Sequence, residues 1–188
     1  MRTTGMSRLY VLTAIAALVA ISFALTGCGS SSTKTTTSAA SELETWAGGL
    51  CTAVGNYKAS VAATRATLHV RNLSRPALQV AAQDFSAATR ELTHDLDELG
   101  PPPLPQPEEA KKIIGDLRAG LSKQGDKIRA VTTNASSTGD VEQAASNISD
   151  ALTAATDEAS HAVSELRKLD PKAEVEQAFN GADSCSSL

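Results

Sequence analysis

The stretch Val141–Leu169, VEQAASNISDALTAATDEASHAVSELRKL, decides the fold class. Its apolar residues fall at Val141, Ala145, Ile148, Leu152, Ala155, Ala159, Ala162, Leu166 and Leu169, in alternating steps of four and three. A helix of 3.6 residues per turn gathers these positions on one side, whereas a strand would scatter them over both faces. Asp140, with Gln143 three residues on, is the expected cap of this helix.

The same pattern recurs towards the N-terminus. Beyond the polar turn 134–139, a third segment carries Ala110, Ile114, Leu117, Leu121, Gln124, Ile128 and Val131 on its seam and opens at Pro107-Glu108-Glu109. Proline is tolerated in a first turn, and the helix dipole favours acids there. Gly100-Pro101-Pro102-Pro103 stops the segment before it, whose seam is Leu78, Ala81, Phe85, Ala88, Leu92, Leu96 and Leu99. Ser74 is that helix's candidate cap. The first segment fits a capping box at Ser41 and Glu44 and aligns Leu43, Ala47, Leu50, Val54, Tyr57, Val61, Thr64 and Leu68. It ends near Asn72, and Gly48 and Gly49 leave room for another element to approach closely. A short fifth helix is expected from Asp170-Pro171 to Asn180-Gly181, carrying Val175 and Phe179.

Four long amphipathic segments with short polar connections define an all-α protein. The expected architecture is an antiparallel up-down-up-down four-helix bundle over residues 41–188, closed by the short C-terminal helix. No run of β-branched or aromatic residues competes as a strand.

The N-terminus reads differently. Arg2 and Arg8 precede the fifteen-residue apolar run Val11–Leu25, and Leu25-Thr26-Gly27-Cys28 follows without a break. That is the layout of a secretory signal. Its end resembles the lipobox of bacterial lipoproteins at all four positions. The resemblance implies that residues 1–27 are removed and that Cys28 is acylated on sulfur and becomes a lipidated N-terminus. Residues 28–40 are then the lipidated cysteine and a flexible Ser/Thr tether of roughly 20 Å. The localisation implied is the extracytoplasmic face of the cell membrane. The Ala-rich style of the chain is similar to small, functionally unassigned lipoproteins of high-GC Gram-positive bacteria, which lend it no activity.

With Cys28 given to lipid, two cysteines remain, Cys51 and Cys185. Outside the cytoplasm an even pair is expected to form a disulfide. The topology agrees, because the end of a fourth antiparallel helix returns to the level where the first begins. After cleavage the chain has 15 basic and 21 acidic side chains, net −6, which disfavours nucleic acid as a partner.

Candidate chemistry is sparse. Two Glu-x-x-His motifs, Glu91/His94 and Glu158/His161, have the spacing that carboxylate-bridged metal sites use in bundles. Each histidine, however, lies two residues from a seam position and so on the far side of its helix. No metal, no cofactor and no catalytic residue is therefore assigned, and an enzyme is not expected. Trp46, beside the seam at Ala47, is better placed to pack under the fifth helix than to line a pocket.

Charge placement is more informative. The half of the bundle far from the tether carries eight bases against five acids, and the rest of the domain six against sixteen. Arg71, Arg75, Lys127 and Arg129 form the candidate interaction tip, suited to an envelope protein or an anionic wall polymer. The reading is a lipid-anchored envelope interaction or scaffold module. The alternative is a small-ligand or sensor module with a pocket between helices near Trp46.

Overall fold

Five α-helices follow one another in the computed structural model, which describes residues 39–68, 73–169, 173–186 and 188. They are α1 (Ala39–Thr67), α2 (Arg75–Glu98), α3 (Pro107–Asn134), α4 (Thr138–Arg167) and α5 (Glu174–Gly181), and a 3₁₀ turn follows at Asp183–Cys185. The signal peptide, the lipobox with Cys28, the tether up to residue 38, Arg71 and Asp170-Pro171 lie outside the described residues.

Helices α1 to α4 form the expected bundle. Each packs on its two sequence neighbours around the ring, with α4 closing back onto α1. The α2–α4 diagonal also touches. The seams face inward: all eight expected positions of α1 are buried, as are Leu78 to Leu96 on α2 and Val141 to Leu166 on α4. Alanine supplies many of the α4 contacts. Ala155 and Ala159 are completely buried, which lets the backbones approach closely.

The helix ends correct three expectations. Ser41 and Glu44 are not a capping box, since α1 is already helical at Ala39. Asp140 does not cap α4 but is its third residue. Ser137 is the cap, its hydroxyl accepting from the Asp140 N–H at 3.2 Å while the Asp140 carboxylate accepts from the Ser137 N–H at 2.8 Å. Helix α5 begins at Glu174, with Ala173 as a left-handed residue (φ 63°) at its entry. Ser74 does cap α2, accepting from the Ala77 N–H. Gly100 ends α2 with φ 68°, a conformation that suits glycine.

Helix α5 and the 3₁₀ turn fold back across α1. The Cys51–Cys185 disulfide closes this return, with the two Cα atoms 5.0 Å apart. Ser184 Oγ donates to the Gly48 carbonyl at 2.8 Å. Arg167, at the end of α4, sits over the Phe179 ring at 5.3 Å and donates to the Cys185 carbonyl at 3.2 Å. Phe179 and Val175 are fully buried beneath. The glycine pair of α1 serves this packing: Leu99 occupies the space a β-carbon at Gly49 would need, and Ala182 and Ser184 lie against Gly48.

Candidate functional site

Arg75 stands in the first turn of α2 and Arg129 near the end of α3. Antiparallel packing brings both to the end of the bundle opposite the start of α1. They line one open cleft of about 520 Å³ with Gln79, Gln83 and Thr133. The Arg75 guanidinium donates to the Thr133 carbonyl at 3.4 Å, which steadies it across the α2–α3 seam. Arg129 lies 3.3 Å from Asp126, one turn earlier on its own helix, and both side chains are well exposed. Such an exposed pair holds little free energy and opens readily towards a competing anion.

Lys127 belongs elsewhere. Two residues from Arg129, it points some 200° away around α3, and its Nζ donates to Gln124 Oε1 at 3.2 Å. The four cations expected to share one tip are thus not one patch. Arg75 and Arg129 converge, Lys127 faces α4, and Arg71 lies outside the described residues.

The two Glu-x-x-His motifs behave differently at their two ends. His94 and His161 are 68% and 75% exposed and pair with Glu98 and Glu165, one turn on. Lys168 hydrogen-bonds Glu165 and holds its carboxyl below the usual range. No grouping of three metal-ligating side chains occurs among the described residues. Glu158, in contrast, turns inward. Its Oε1 accepts from Gln124 Nε2 at 2.8 Å, and its carboxylate fills the space beside Gly120 where a side chain would otherwise stand.

Glu158 and Gln124 belong to a polar layer with one residue from each helix. Tyr57 of α1 and Thr89 of α2 complete it. Burial drives the Tyr57 phenol far above its ordinary pKa; the Thr89 hydroxyl beside it opposes the rise, and the Glu158 charge adds to it. Neither hydroxyl has hydrogen-bond geometry to a protein atom, and Glu158 Oε2 is also buried without a partner. Phe85 packs edge-on against the Tyr57 ring at 6.4 Å, sealing one side. The sequence places Gln124 on the α3 seam and gives Glu158 no role beyond its Glu-x-x-His spacing.

Among the described residues, Trp46 is packed into the core, and a cleft of about 510 Å³ opens one turn earlier on α1, at Leu43 and Glu44 against Leu104 and Ala178. The indole is buried at 5% exposure, and the neighbouring glycines are covered by Leu99, Ala182 and Ser184. The cleft beside Gly48 is an open surface depression lined by Glu44, Thr45 and the Gly181–Ser184 segment.

Compared with known protein families, with curated proteins and with solved structures, the chain finds no match in any of the three.

Proposed function

We propose that this protein is a lipid-anchored module of the extracytoplasmic membrane face that holds a cationic cleft away from the membrane to engage an anionic envelope partner. The observation that carries the reading is the convergence of Arg75 and Arg129 on one cleft at the end of the bundle remote from α1's first residue. Two guanidiniums suit phosphate or carboxylate groups, and the Gln79 and Gln83 amides can hydrogen-bond neighbouring hydroxyls. An anionic wall polymer offers both. The lipobox supports the anchor, and a cysteine pair in bonding position supports an oxidising compartment.

The test has two arms. Intact mass and fractionation should find a diacylated Cys28 at the N-terminus of membrane-bound protein, with Cys28→Ala released or unprocessed. Arg75→Gln with Arg129→Gln should weaken co-sedimentation with purified anionic wall polymer several-fold, more at low salt than at high; Lys123→Gln serves as the control. An unmodified Cys28 on processed, soluble protein overturns the anchor. Binding indifferent to both arginines at every salt concentration overturns the cleft.

A further inference from the structure

Lys58 and Arg65 stand seven residues apart on α1, two turns and about 10 Å along one stripe. They flank a groove of about 450 Å³ between α1 and α4, bedded by Ala62, Ala66, Thr153 and Thr156. Among the described lysines and arginines, only these two and Lys123 lack a hydrogen bond, ion pair or ring contact. The C-terminal dipole of α1 suits Arg65 in its last turn, but it does not reach Lys58, two turns further in.

Helix α4 carries the matching charges. Asp150 and Asp157 are also seven residues apart, three before and four after Thr153, and so share its stripe. Thr153 lines the α1–α4 groove while Asp157 lines the cleft on the α3 side, so the stripe is the outward ridge of α4. Both aspartates are exposed, and neither has an ion pair. The residues that line the groove set the heights. Residues 58–66 of α1 lie opposite 152–156 of α4 and run the other way. Lys58 is therefore level with Asp157, and Arg65 with Asp150.

We infer that a second copy of this chain covers the α1–α4 face in a two-fold dimer. A two-fold axis parallel to the bundle keeps every height unchanged and brings α1 of one copy against the α4 ridge of the other. Lys58 then meets the partner's Asp157 and Arg65 the partner's Asp150, and symmetry forms each pair twice, as an isologous interface requires. The alanines and threonines of the groove let the helices approach closely. Exposed pairs of this kind are individually weak, so the dimer depends on high local concentration. In this arrangement both α1 helices start at the same end, which two chains tethered to one membrane face require; the pairing itself does not depend on the anchor.

The test uses the full chain in membranes, half of it labelled with ¹⁵N, treated with a zero-length carbodiimide coupler. Mass spectrometry should find Lys58–Asp157 links joining labelled to unlabelled chains. Lys58→Glu with Arg65→Glu should abolish the dimer, and Asp150→Lys with Asp157→Lys should do the same, with helicity unchanged by circular dichroism. The chain carrying all four reversals should dimerise again. Links confined to single chains, links to an unrelated protein, or a fourfold reversal that stays monomeric would overturn the inference. The variants leave the α2–α3 cleft and Cys28 untouched, so membrane-bound chain that stays monomeric overturns this inference alone, whereas chain absent from the membrane overturns the anchor.

Discussion

Glu158 lies across Gly120, its carboxylate occupying the position from which a β-carbon would exclude it. The hydrogen bond from Gln124 holds it there. A side chain at residue 120 must push the carboxylate out and leave the Gln124 amide buried without its acceptor. Glycine is unfavourable in a helix by roughly 0.5–1 kcal/mol relative to alanine, and at 120 it leaves the Glu158 carboxylate the room it occupies.

Alanine substitution should therefore have opposite signs along α3. Gly115 has open space where a β-carbon would go, and Gly115→Ala should stabilise by roughly 0.5–1 kcal/mol. Gly120→Ala has the same propensity gain set against a buried hydrogen bond worth about 1–3 kcal/mol, so its net effect should be a loss of about 1–2 kcal/mol. Urea unfolding followed by circular dichroism measures both. A stabilised Gly120→Ala variant would show that the carboxylate leaves the layer freely.

The unpaired hydroxyls of the layer give a second expectation. Tyr57→Phe removes a buried polar atom that no protein group satisfies, while keeping the ring against Phe85. It should be neutral or stabilise by up to about 1 kcal/mol. Phe85→Ala in the same layer should cost about 3–5 kcal/mol, because it opens a cavity. Equal losses in the two variants would mean that the Tyr57 hydroxyl is well bonded in solution.

The α1, α2 and α4 seams could be read from sequence because period alone identifies them, and Leu50, Phe85 and Leu152 are buried where a 3.6-residue repeat puts them. Caps were harder to place. Ser137 and Asp140 both satisfy the composition of a helix start, and only the backbone geometry decides which residue is the cap. The cationic tip was half legible. Helix number and direction place Arg75 and Arg129 at one end, but rotation about α3 separates Lys127 from them. The polar layer needed tertiary information, because the inward turn of Glu158 depends on a glycine in a different helix.

The Cys51–Cys185 bridge spans 134 residues of sequence. Loop-closure entropy puts its contribution at about 4–5 kcal/mol as an upper value. Reduction should lower the melting temperature by roughly 10 °C in a domain of this size. Helicity below the transition should change little, because the four seams and the Arg167 clamp on Phe179 remain. Thermal melts with and without reductant measure the shift. An unchanged melting temperature would mean that the two cysteines are not joined in solution.

Asp140 supplies the clearest pH dependence. Hydrogen bonds from Ser137, first from its side chain and then from its backbone, with further ones from Ser136, hold the carboxyl at about 2 against an ordinary 3.8. The folded value lies below the unfolded one, so the charged carboxylate stabilises the start of α4 at any pH above about 4. That contribution fades as pH falls from about 4 to about 2, where the carboxyl takes its proton in the folded state too. Asp140→Asn keeps the size of the side chain and removes the charge. The difference in melting temperature between wild type and Asp140→Asn should be constant from pH 5 to 7, shrink between pH 4 and pH 2, and be smallest below pH 2. A difference that stays the same across that window would mean that the Asp140 carboxyl titrates alike in the folded and unfolded chains, and that the capping box adds no charge-dependent stability.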